Sequence, residues 1–188
     1  MFWTLPTLLT WARILAIPLI VGVFYLPWAQ DTRNQIATVL FIVFALTDWL
    51  DGYLARKLNQ TSSFGAFLDP VADKFLVCAA LVILLEMGRV EAFVALVIIG
   101  REIAISALRE WMAQIGASRS VAVHMVGKLK TVVQLVAIPF LLFHGPLFEV
   151  IDTQLWGTWL IRASAVLTIW SMVYYLRKAL PEIRARVR

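Results

Sequence analysis

The sequence is short of charge and nearly devoid of cysteine and histidine. Only 15% of its 188 residues are Asp, Glu, Lys or Arg, while 61% are hydrophobic, where a soluble domain is nearer half apolar. The single cysteine, Cys78, lies in an apolar run with no second cysteine to pair with. That excludes an internal disulfide and leaves redox chemistry without support. His124 and His144 lack metal-ligand spacing and read as ordinary interfacial residues. There is no internal repeat, low-complexity tract or linker. The N-terminal segment lacks the basic start of a signal peptide, because its one positive residue, Arg13, follows a dozen mostly apolar ones. It is expected to be retained.

What is present is apolar length. Mean hydropathy is +0.82, and long apolar runs recur, among them Ile14–Leu26, Phe75–Leu85 and Thr131–Phe143. A spanning helix takes about 20 residues, so the chain has room for six and little else. The expectation is an all-α integral membrane protein, one domain over 1–188, with spans near 5–26, 34–55, 66–86, 91–112, 123–143 and 156–177. Of 17 Lys and Arg residues, only Arg33, Arg89 and Arg162 fall nearest the loops of one side. By the positive-inside rule the termini and the other loops face the cytoplasm. Membrane lipids then account for the net charge of +5 without nucleic acid, and the tail "RKALPEIRARVR" is expected to touch anionic headgroups. Trp3, Trp28, Trp111 and Trp156 fall near span ends, as interfacial anchors do.

Against this background stands "TDWLDGYLARKLNQTSSFGAFLDPVADK", with Asp48, Asp51, Asp69 and Asp73. Asp48, Asp51 and Ala55 fall within roughly 60° on a helix, and Asp69 and Asp73 are one turn apart. The short connection makes the second and third helices expected antiparallel neighbours, so the carboxylates converge from facing walls. Pro70 leaves two options: a third helix starting near Asp69, or one starting earlier and kinked there. Four converging carboxylates cannot all stay ionised without cations. Lys74 and Arg56 compensate in part; hard divalent ions bound through oxygen do so better. Two such ions are a known device for displacement at phosphorus. Aspartates that merely cap helices and pair with Arg56, Lys57 and Lys74 are a poorer account of four at these spacings. Gly52 and Gly65 suit either close ligand approach or a tight helix contact.

Asp48-x-x-Asp51-Gly52-x-x-Ala55-Arg56, eight residues, Gly65, three residues, Asp69, three residues, Asp73 resembles the signature of the CDP-alcohol phosphotransferases. "LPTLLTWARILAIPLIV", "REIAISALREW" and "VAVHMVGKLKT" extend the likeness, over nearly the whole chain, to the bacterial members that make phosphatidylglycerophosphate. Thr7 departs from the asparagine of many relatives. The resemblance implies six membrane helices with a polar, metal-containing cavity at the cytoplasmic face of the bacterial inner membrane, often in a homodimer. It implies transfer of the phosphatidyl group from CDP-diacylglycerol to glycerol 3-phosphate. Asp48, Asp51, Asp69 and Asp73 would hold two Mg2+ or Mn2+ ions, with Asp73 also the general base. Gly52, Ala55, Arg56 and Gly65 would line the CDP site; apart from the resemblance, Thr10 and Arg13 of the first helix are read as contacts to its nucleotide end.

The acceptor's phosphate calls for a second basic cluster. Arg101 and Arg109 on the fourth span, with Lys128 and Lys130 on the fifth, are the candidates. An arginine ten residues into an apolar segment faces a polar cavity rather than lipid, and its fork suits phosphate. The competing readings pair Arg101 with Glu102 and let Lys128 and Lys130 snorkel to headgroups. Other acceptors (inositol phosphate, serine, phosphatidylglycerol) would share the aspartates and differ only in this cluster. A divalent-cation transporter would need carboxylates near the midplane and a path to both faces, whereas these sit at one end.

Overall fold

The computed structural model describes residues 5–57, 63–116 and 125–186. It is a bundle of α1 (Leu5–Val23), α2 (Gln30–Lys57), α3 (Ser63–Glu86), α4 (Ala92–Gln114), α5 (Met125–Phe143) and α6 (Thr153–Arg186). A hairpin of β1 (Pro146–Leu147) and β2 (Ile151–Asp152) joins the last two helices. All six expected helices are present. Helices α2 and α3 start earlier than read, α2 with Asp31 in its first turn where a negative charge suits the helix dipole, and α6 continues through the tail.

The helix stops follow from local chemistry. Gly88 takes φ +68° after α3, with its N–H on the Leu85 carbonyl and the Arg89 N–H on that of Leu84. This is a Schellman stop, which needs a left-handed residue. At the start of α6, Asp152 Oδ1 accepts the Leu155 N–H at 3.0 Å, an N-cap bond.

The core takes a fully buried residue from each helix: Ile20, Phe41, Leu81, Ile98, Leu141 and Ile161. The closest seam is between α5 and α6, where a Cβ on Gly157 would lie 2.8 Å from Leu141 Cγ. Helix α1 packs against both α2 and α3. Helices α2 and α3, expected as close neighbours, touch only sparsely among the described residues; α1 supplies the surface that each needs.

The tail continues α6, and Tyr175 and Ala179 are buried with Ile105 and Met112 of α4.

The outside of the bundle is apolar. Leu15, Leu46, Phe75, Leu96, Val132 and Val166, one per helix, are each more than half exposed, while Thr10, Arg13, Arg101, Lys130 and Gln134 are buried. This inverts the pattern of a water-soluble bundle. Among the described residues only α6, over Thr153–Arg184, is by itself long and apolar enough to cross a membrane; Leu8–Val23 and Leu129–Phe143 are shorter apolar stretches. Charges on α2, α3 and α4 interrupt their apolar length.

At the end away from the aspartates, Arg89 crosses the bundle. It donates to the carbonyls of Leu141 (3.0 Å) and Leu142 (2.9 Å) and to Asn34 Oδ1 (2.8 Å). The last carbonyls of α5 would otherwise lack partners. Burial pushes this guanidinium down to about 10, which leaves it charged at neutral pH.

Candidate active site

A cavity of about 380 Å³ opens among α3, α4, α5 and α6. Helix α3 contributes Asp69, Asp73 and Lys74; α4 contributes Arg101, Glu102 and Arg109; α5 contributes Gly127, Lys130 and Thr131; α6 contributes Tyr175. Pro70 lies inside α3, which starts at Ser63, so the helix begins before Asp69 rather than near it. Asp69 and Asp73 nevertheless line the same cavity. Gly65 is buried in the first turn of α3.

The acidic side is tied to α1. Thr10, fully buried, donates its hydroxyl proton to Asp69 Oδ1 at 2.5 Å. That bond orients the carboxylate and uses one of its lone pairs. Arg13, one turn further along α1, is also fully buried. Asp48, Asp51, Gly52, Ala55 and Arg56 lie on α2, but their side chains fall outside the described residues. Among the described residues no three potential ligands converge. The described part of the carboxylate set is Asp69 and Asp73, two hard oxygen donors one turn apart on the cavity wall, which suits a hard divalent cation.

The basic side is denser than its spacing suggested. Glu102 Oε1 accepts from Arg101 Nη1 at 3.2 Å and also pairs with Lys130. The Arg101–Glu102 pair of the competing reading is therefore present, and both residues line the cavity. Lys130 is 4% exposed, so it does not snorkel: its ammonium turns inward to Glu102. Lys128 has no described side chain. Arg101 Nη2 donates to Ser171 Oγ at 3.1 Å, and Ser171 in turn donates to the Thr168 carbonyl at 2.9 Å. Lys74 donates to Ser106 Oγ, whose own proton goes to the Glu102 carbonyl at 2.6 Å.

Tyr175 organises the two arginines. Their guanidinium carbons lie 5.7 Å (Arg101) and 5.4 Å (Arg109) from its ring centroid, within cation–π range. Arg109 Nη2 also donates to its hydroxyl at 3.4 Å. A Cβ on Gly127 would come within 3.3 Å of that hydroxyl, so the glycine leaves room for it. The Nε atoms of Arg101 and Arg109 are buried without a hydrogen-bond partner, leaving donors open on both arginines. Sequence reasoning missed Tyr175, Ser171, Ser106 and Gln134. Each is a common residue in an apolar helix, and only packing reveals that it faces charge.

Beside the polar cavity an apolar groove of about 530 Å³ runs between α3 and α4, walled by Val71, Phe75, Ile99 and Ile103. Lys74 and Glu102 border both spaces. A surface with clustered cations, carboxylates and a contiguous apolar trough can hold a molecule that is anionic at one end and greasy at the other.

Comparison with known proteins agrees with this chemistry. Residues 3–170 match the CDP-alcohol phosphatidyltransferase family. A Salmonella choleraesuis (strain SC-B67) protein named CDP-diacylglycerol–glycerol-3-phosphate 3-phosphatidyltransferase is 46% identical over 181 residues, 95% of this chain and 96% of that protein. A protein of the same name from Escherichia coli (strain K12) is 47% identical over 183 residues, again 95% and 96% of the two chains.

Proposed function

The chain belongs to the CDP-alcohol phosphatidyltransferase family, and from that premise we propose that it transfers the phosphatidyl group of CDP-diacylglycerol to glycerol 3-phosphate. The products are phosphatidylglycerophosphate and CMP. The observation that carries this reading is that the α3 aspartates and the buried cations of α4 and α5 line one cavity.

The acceptor's phosphate takes the place next to Arg101, Arg109 and Lys130, whose open or exchangeable donors suit a dianion. Lys128 belongs to the same cluster by position. The acceptor's primary hydroxyl then lies toward Asp73, which accepts its proton. The oxygen forms its bond to the phosphatidyl phosphorus as the bond from that phosphorus to the CMP oxygen breaks, and CMP leaves with the electron pair. Thr10 holds Asp69 in one rotamer during this exchange. Divalent metal, Mg2+ or Mn2+ and two ions in our reading, would be held by Asp48, Asp51, Asp69 and Asp73 and would neutralise the pyrophosphate and the departing CMP. Gly52, Ala55, Arg56, Gly65 and Arg13 are assigned to the CDP moiety by their place in the motif.

The groove between α3 and α4 is the proposed seat of a donor acyl chain, because it shares Lys74 and Glu102 with the reaction cavity. The apolar exterior of every helix supports a protein embedded by all six in the bacterial cytoplasmic membrane, and the distribution of basic residues supports a cytoplasmic site.

CMP release by the purified protein in detergent tests the reaction. CDP-diacylglycerol and magnesium are supplied, and glycerol 3-phosphate, inositol phosphate, serine and phosphatidylglycerol are offered separately. Release with glycerol 3-phosphate alone, abolished by EDTA, is expected. Release with another acceptor instead would overturn the assignment of the α4–α5 cluster.

A further inference from the structure

Gln134 of α5 is 3% exposed, and its carboxamide nitrogen has no hydrogen-bond partner. A buried donor left open is costly and calls for an occupant. Beside it lies a small pocket of about 40 Å³ whose wall includes Asp73, Lys130, Thr131 and Gln134, closed by Val77 and Leu135. Asp73, Lys130 and Thr131 also line the main cavity, so the two spaces adjoin.

The other polar groups of this pocket are engaged. Thr131 donates to the Gly127 carbonyl at 3.0 Å, Lys130 to Glu102 and Lys74 to Ser106. The Gln134 amide is left to meet a newcomer. A space of this size holds one hydroxyl or one water. Gln134 stands one helical turn beyond Lys130, about 6 Å of rise, on the scale of a three-carbon polyol.

We infer that Gln134 reads the secondary hydroxyl of the acceptor, donating its amide proton to that oxygen while the phosphate sits at Arg101 and Lys130 and the reacting hydroxyl faces Asp73. Gln134 thereby sets specificity for a polyol phosphate over a simple hydroxyalkyl phosphate. This rests on the reaction proposed above.

The test compares glycerol 3-phosphate with 3-hydroxypropyl phosphate, which keeps the phosphate and the reacting hydroxyl and lacks only the secondary one. CMP release is measured for the full chain and for Gln134→Met, which removes the amide at nearly constant volume. Both acceptors are assayed on one preparation, so any loss of folded protein cancels in their ratio. The wild-type chain is expected to favour glycerol 3-phosphate by at least about tenfold in kcat/KM, and the variant to bring that ratio to about one through loss with glycerol 3-phosphate alone. A wild-type ratio near one overturns the inference and leaves the reaction standing. So does an equal loss with both acceptors in the variant, or an unchanged ratio, which would mean that the pocket holds only water. A wild-type chain that releases no CMP with glycerol 3-phosphate overturns the reaction itself.

Discussion

Lys130 of α5 and Glu102 of α4 form an ion pair in the wall of the cavity, and Glu102 also holds Arg101. One carboxylate thus serves two cations that are 4% and 6% exposed. A phosphate bound at this cluster would give the same two cations a second negative partner. Glu102→Gln should destabilise the protein by about 3 kcal/mol, since breaking a buried pair leaves uncompensated charge. Inorganic phosphate should restore more stability to the variant than it adds to the wild type. Thermal unfolding in detergent, with and without phosphate, measures this; an identical phosphate response in both proteins would show that Glu102 is not the counter-ion of the site.

Asp73→Asn should lower turnover by about 10²–10⁴-fold, the usual contribution of a general base. Metal-dependent binding of CDP-diacylglycerol should persist. Loss of that binding together with turnover would make Asp73 a metal ligand alone.

Arg101→Ala should raise the KM for glycerol 3-phosphate at least about tenfold, with a smaller change for the lipid donor. The guanidinium contacts Glu102, Ser171 and the Tyr175 ring on α4 and α6. Steady-state kinetics with each substrate varied in turn decides this, and an equal rise in both constants would remove Arg101 from the acceptor pocket.

Ala107→Trp fills the groove between α3 and α4. Its effect should depend on the donor's tails: the KM for a long-chain CDP-diacylglycerol should rise several-fold, and that for a short-chain analogue should barely move. Equal behaviour of the two donors would empty the groove of an acyl chain.

Arg89→Met removes three donations, to Leu141, Leu142 and Asn34, and strands those acceptors where Arg89 is 8% exposed. A loss of about 3 kcal/mol is expected, read as a lower unfolding midpoint in detergent. The acceptor and donor KM values of the protein that remains folded should be unchanged, because this cluster lies at the opposite end of the bundle.

Much of the cavity's lining was legible in the sequence because its signals are local. A helix starting before Pro70 is the option that loosens the relation between Asp69 and Asp73, yet both line the same cavity. The positions of Arg101 and Lys130 in apolar segments already implied a polar interior, since a charge is costly in hydrocarbon. Hydrophobic length likewise announced six helices.

Tertiary structure decided what depends on neighbours distant in the chain. Only packing could reveal that Lys130 turns inward, that Thr10 bonds Asp69 59 residues away, or that Tyr175 collects two arginines from α4. The helix order in space was also hidden, because short connections favour adjacency while α1 packs against both α2 and α3. Gln134 shows the limit most clearly: as one polar residue in an apolar helix it carries no signal. Its meaning comes from a small pocket in which Lys74, Lys130 and Thr131 already have partners.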